Sequence, residues 1–452
     1  MPQILQLLKN HLVVHIIFSI VLCLIFFFVQ IPVFLLQGLH TYIHPDNASH
    51  KQNDGPKAAI RRPSSSSDTQ SALRKRTSSG SKSNEQVDFD ESNAQIFRLT
   101  LDAGHLLSRL FFNDYRYGAI YFSLSLSNMV LHRFLRNKIE KDRILEDGSS
   151  TVVTIFALVS LCKIFQSLAR ISFEKSASRM SEKQWSLLLG IIGFSFGLWI
   201  CFGFSSSLLD FNLISPHSAP SKLFFAFLMG CLACFLYVPA VKNARSFWLG
   251  SDQLRSNLDI VSCGRISRLI LYANLLVGSF SSLLWVNQVI PIFINKSDQG
   301  THFGDRLAGN LGFSAAEFGK LRIFCLTISG LLQLASLRQN LQMYLNEALL
   351  CWYQRLHASK SPDLTFSRAK VFLHNHYLCA SVIQFLAPPL LLLSFLGLSQ
   401  LDCYPLFLSS LLPSTTFLQN LFLLTAWWIS FNWSAYTLAH LLLYRQGFLS
   451  VS

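Results

Sequence analysis

The sequence predicts an all-α, polytopic helical membrane protein of about nine transmembrane helices, eight plus an N-terminal anchor, with a disordered basic Ser-rich linker. Three observations carry this expectation. Of 452 residues, 51% are hydrophobic and 14% charged, with 39 phenylalanines and a mean hydropathy of +0.37, more apolar than a soluble domain that must keep a wettable surface. The apolar residues come in runs long enough to cross a bilayer core. The formal charge of +14 sits in short segments between those runs, where Lys and Arg orient the spans. No basic patch with interleaved aromatics marks a nucleic-acid surface, so the expected partners are the lipid bilayer and other membrane proteins. Most of the ten cysteines lie inside apolar runs, which is core usage and not a disulfide framework.

Three regions follow: an anchor over 1–40, a linker over 41–95 and a helical bundle over 96–452. The first span, Leu12 to Leu36, is too long for an ordinary signal peptide and lacks a clear small-x-small cleavage site, so it reads as a retained anchor. The linker carries Arg61-Arg62-Pro63-Ser64 and Arg74-Lys75-Arg76-Thr77-Ser78, with too few apolar residues to offset the entropy of ordering. Those clusters suit basophilic kinases or an anionic lipid surface. From Ile96 to Phe112 the pattern predicts an interfacial helix ahead of the second span, about Tyr115 to Leu131.

The third span, Thr151 to Leu168, contains Lys163, close enough to its end to snorkel. The fourth, Trp185 to Phe204, has a Gly193-xxx-Gly197 pair suited to close helix approach. In the fifth, Leu223 to Val241, Cys231-x-x-Cys234 reads as packing, because no further His or Cys pair completes a tetrahedral metal site. The sixth runs from Leu269 to Ile290.

The seventh belongs to one long helix, Lys320 to Tyr353, whose Arg322 and Arg338 would snorkel to opposite interfaces. Arg322, Ser329, Gln333, Ser336 and Asn340 fall along one face as a polar seam. Beyond Arg338, Leu341, Leu345, Ala348, Leu349, Trp352 and Leu356 predict an amphipathic extension outside the bilayer. The eighth span, Phe372 to Leu396, holds Gln384 and a kinking Pro388-Pro389 pair, and the ninth, Phe417 to Leu443, carries Trp427-Trp428, Asn432 and His440.

Loop charges set a direction. Arg170, Arg179, Lys183, Lys242, Arg245, Arg338, Arg355, Arg368 and Lys370 share one side, which reads as cytosolic, with the N-terminus outside and the C-terminus inside. Arg136, Lys138, Lys141 and Arg143 dissent. The sequon at Asn295 falls on the outer side as the candidate glycosylation site. No catalytic, cofactor or metal constellation stands out. GxSxG, HExxH and Walker-type loops are missing, and His374-x-His376 points to two helix faces.

Several stretches resemble the transmembrane protein 161 family: Pro220-Ser221-Lys222-Leu223 with Pro239, Leu321-Arg322 followed by Leu337-Arg338, Leu341-Gln342-Met343-Tyr344-Leu345-Asn346, Gln384-Phe385-Leu386-Ala387-Pro388 and Trp427-Trp428-Ile429. Their order along the chain is the specific part, and the chain resembles a divergent or plant-like member. The resemblance implies a multi-pass membrane protein without an established enzymatic reaction, linked in animals to stress tolerance and membrane excitability. The expectation is a non-enzymatic protein of the secretory-pathway or plasma membrane that modulates other membrane proteins or a stress response. The alternative is a channel or transporter with its pathway along the seventh span. A glycosidase is expected to shift the protein's electrophoretic mobility, and Asn295→Gln to abolish that shift; a shift that persists in the variant places the glycan elsewhere.

Overall fold

The computed structural model describes residues 11–44, 57–60, 96–138, 146–174, 179–202, 208–211, 219–251, 263–294, 313–358, 365–401 and 415–449. Asn295 and the Ser-rich stretch 61–95 lie outside the described residues. The chain starts with α1 (His11–Val29), breaks at Gln30 and resumes as α2 (Ile31–Leu36), with Pro32 in its first turn. Gly38, at φ 79°, supplies the left-handed turn into the next element. β1 (His40–Ile43), β2 (Lys57–Ile60) and β3 (Ile96–Thr100) form an antiparallel sheet in the order β1-β3-β2. The helices α3 (Ala103–Leu107), α4 (Phe112–Lys138), α5 (Glu146–Phe173), α6 (Met180–Cys201), α7 (Ala219–Ser251), α8 (Arg265–Leu283) and α9 (Ile290–Phe293) follow. The chain continues with α10 (Ala315–Ala335), α11 (Leu337–Ala358), α12 (Thr365–His376), α13 (Leu378–Ser399) and α14 (Thr415–Arg445).

Among the described residues, seven helices are long and apolar enough to cross a membrane, including α1, α5, α6, α7, α8, α10 and α13. The remaining expected spans, the second and ninth, are α4 and α14, helices of 27 and 31 residues. The protein is an all-α polytopic membrane protein with one small sheet at an end of the bundle. α13 is the axis: every residue of it but Gly397 is buried, enclosed by α4, α5, α7, α10, α11 and α14. It stays helical through Pro388-Pro389, so neighbouring helices, not lipid, surround the backbone groups those prolines leave unpaired. Outward-facing side chains are apolar, as at Phe324, Leu331, Leu276 and Phe227, while Ser, Asn and Gln turn inward.

The sheet corrects two expectations. Ile96–Thr100, expected to be helical, is its central strand, and β1 and β2 come from the stretch expected to be disordered. Alternation of apolar and polar residues over so few positions fits either period, and here the strand pairing decided. β1 docks on α11 by side-chain mimicry of a strand: the Gln342 amide accepts from His40 N at 2.9 Å and donates to His40 O at 3.1 Å. Asn375 of α12 donates to Tyr42 O, and the Tyr42 hydroxyl donates to Asn346 at 3.0 Å. Burial pushes the Tyr42 hydroxyl up to about 12, so it remains a donor.

Three helix boundaries also move. The long helix divides at Ser336, whose hydroxyl donates to Gln333 O at 3.0 Å. The sixth span stops at Leu283, where the following turn engages Arg322 and Asp210, and the eighth divides at Tyr377. Lys163 pairs with Asp114 at 3.6 Å with its side chain 24% exposed, so a partner, not snorkelling alone, holds it. α1 is locked into the bundle by Asn128, whose Oδ1 accepts from His15 Nδ1 at 2.8 Å and whose Nδ2 donates to Ser19 at 2.9 Å.

The glycine pair behaves as expected. A Cβ on Gly193 would lie 2.6 Å from Ala233 Cβ, and one on Gly230 would lie 2.9 Å from Gly190 O, while Cys234 packs beside Gly190. Gly193→Val is therefore expected to lower stability by about 1–3 kcal/mol through overpacking, read as a drop in Tm of the purified protein in detergent. Gly104→Ala, which meets nothing within 4 Å, should leave Tm nearly unchanged.

Candidate functional site

The predicted seam exists and is buried along its length: Arg322, Ser329, Gln333, Ser336 and Asn340 are all 5% exposed or less. Gly278 of α8 allows the close approach that continues it, since its Cα side faces Ser434 Oγ and Ser329 Oγ at 3.0 and 3.6 Å from a built Cβ. The seam is the spine of a polar column. Gln333 donates to Ser329 at 3.4 Å, and Asn274 and Asn340 both donate to Ser336 at 3.3 Å. Asn340 also donates to Asn243 at 3.0 Å, and Asn243 to Thr437 at 3.4 Å. Gln333 Oε1, Asn274 Oδ1 and Asn340 Oδ1 have no hydrogen-bond partner among the described residues. Asn274 and Asn243 line a cavity of about 10 Å³, room for one water, shared with Ser434 and Thr437.

Arg322 departs from expectation. It does not snorkel: its Nη1 donates to Asp210 at 2.7 Å, its Nε donates to Leu284 O at 3.0 Å, and its guanidinium lies over the Phe318 and Trp285 rings at 4.4 and 4.7 Å. A buried guanidinium is tolerable only with such pairing. Arg338 is exposed and donates to Gln37 O at 3.2 Å, tying the start of α11 to the end of the first span. The amphipathic extension is also different. Both faces of α11 are covered, because Asn346 and Glu347 are buried along with Leu341, Leu345 and Trp352.

At the sheet end the column runs into a cluster that motif reading missed. Glu347 pairs with Lys370 at 3.2 Å and approaches the His374 ring at 3.8 Å. Arg245 donates to Glu182 and, at 3.2 Å, to the Tyr444 hydroxyl, while Lys242 donates to Ser381 at 2.9 Å. His374 stacks on Tyr344 at 4.5 Å, whereas His376 stacks on Phe372, so the two histidines do part. The described residues contain no group of three His, Cys, Asp or Glu placed to hold a metal. Burial pushes the Glu347 carboxyl up, but the His374 ring and the Arg245 and Lys370 charges outweigh it and hold the group well below the usual carboxylate range. A depressed native value means the stabilisation is fully present above about 4.5 and is lost as pH falls through the native value.

Glu347→Leu is expected to cost about 3–5 kcal/mol, because it takes the carboxylate away from buried Lys370, and Glu347→Gln less; thermal melts in detergent read both. In the same melts the advantage of wild type over Glu347→Gln should shrink on acidification below pH 4.5.

No solved structure matches the chain. The Asp210–Arg322 pair, the seam and the Glu347–Lys370 pair all lie within residues 209–407, which match the model of the family described as predicted transmembrane protein 161AB.

Proposed function

We propose that this multi-pass membrane protein works without catalysing covalent chemistry and that the polar column along α10 is a closed pathway for a small ion or polar solute. One observation supports the reading: buried hydrogen bonds join Ser329, Gln333, Ser336, Asn274, Asn340, Asn243 and Thr437 into one column, with the Asp210–Arg322 pair toward one end of the bundle and the Glu347–Lys370 pair toward the other. Each unpaired acceptor in the column costs roughly 1–3 kcal/mol, and apolar residues of similar size would make a cheaper core. A chain that retains Gln333, Asn274 and Asn340 there is using them for more than packing. The three amide oxygens are the chemistry that strips water from a cation or passes a hydrogen-bonded solute.

A second reading is an accessory protein that modulates other membrane proteins or a stress response. The tight packing of the column, with space for about one water at Asn274, favours it. The resemblance links the family to excitability and stress. Under either reading we place the sheet end in the cytosol by its excess of Lys and Arg, and the protein in the secretory-pathway or plasma membrane.

Reconstitution into liposomes separates the two. Purified protein is expected to conduct ions or release a small solute, and Gln333→Leu to reduce that flux by about tenfold or more. Protein that carries no flux and co-purifies stoichiometrically with a channel overturns the pathway and supports the accessory reading.

A further inference from the structure

Beside the ion-pair cluster lies a cavity of about 470 Å³ between α6, α7, α11 and α14, which the column does not use. Its volume is that of a small-molecule site. One part of its wall is charged, with Arg179, Glu182, Arg245 and Glu347, and another is apolar, with Trp185, Leu189 and Leu443. A neighbouring cavity of about 270 Å³ shares the same four charged residues and adds Lys242, Lys370 and His374. Across the two, the lining holds four Lys and Arg side chains against two carboxylates, an environment suited to an anion.

The position of the larger cavity selects the kind of anion. Its charged wall comes from the start of α6, the last two turns of α7 and Glu347 of α11, beside the last turn of α14, where the spans leave the apolar layer, so it sits at headgroup depth. Its apolar wall continues onto the outside of the bundle, where Trp185 is 57% and Leu443 37% exposed. A Trp at this depth is the usual marker of the membrane interface. A soluble phosphate compound would leave the apolar wall unfilled, and a hydrocarbon alone would leave the charges facing it.

We propose that this chamber binds an anionic phospholipid of the leaflet at the sheet end, with its phosphate against Arg179 and Arg245 and an acyl chain along Trp185, Leu189 and Leu443. The Arg245 guanidinium, already fixed by Glu182 and Tyr444, presents a preorganised donor edge. The proposal is independent of whether the column conducts.

Native mass spectrometry of the delipidated full-length protein in detergent tests it, with phosphatidylglycerol, phosphatidylcholine and glycerol phosphate as probes. One phosphatidylglycerol per chain is expected to be retained, at least about tenfold more tightly than phosphatidylcholine, with no retention of glycerol phosphate. Arg179→Gln, at an exposed position, and Ala439→Trp, which fills the chamber, should each weaken phosphatidylglycerol retention about tenfold while Tm stays within a few degrees of wild type. Equal retention of the two lipids, unchanged retention in both variants, or glycerol phosphate held as firmly as the lipid would overturn the proposal.

Discussion

A bilayer offers no hydrogen-bond partners, so every polar side chain carried to membrane depth has to find one inside the protein. The interior of this bundle is organised by that requirement. Ser186 donates to Cys234 O at 2.6 Å, and Trp427 and Trp428 donate their ring N–H groups to Ser282 O and Met229 O at 3.0 Å. Each bond joins two helices, and each fixes a register that apolar packing alone would leave loose. α13 can be mostly apolar because the helices around it bring their own polar partners. Its Ser381 is the hydroxyl that receives Lys242.

The same requirement governs charge. Loop arithmetic treats each Lys or Arg as an orientation signal, yet Lys242, Arg245 and Lys370 are occupied with hydroxyls and carboxylates in the interior. They still carry positive charge at the sheet end and so still act during insertion. In the finished protein they also close α6, α7, α11 and α12 into one assembly. Arg322 does this at the opposite end, joining α10 to the turn after α8 and to Asp210.

Much of this was legible from residues alone. Spacings of seven, four, three and four between Arg322 and Asn340 name one helix face, and the glycines of α6 name its contact with α7. Helix ends were less legible, since Ser336 and Tyr377 interrupt sequences that are equally good helix formers on both sides. The partners of the seam and the ion-pair chamber were not legible. Glu182, Arg245, Glu347 and Lys370 stand on four helices, and no local spacing relates them. A signal was available in part: acidic residues are scarce here, 24 in 452, and Glu347 is the only one in the sequence between Glu317 and Asp363. An isolated carboxylate in such a place has a cation waiting for it.

The docking of β1 on α11 has a consequence for biogenesis. Tyr42 bonds to Asn346 across 304 residues of chain. At roughly 5–20 residues per second, the ribosome needs about 15–60 s to make the second partner after the first. Through that interval β1, paired with β3, waits at the membrane surface with its docking groups exposed. The final seal is therefore made from the C-terminal half backwards, and a chain interrupted before α12 would retain its first spans without the end of the bundle that encloses the column.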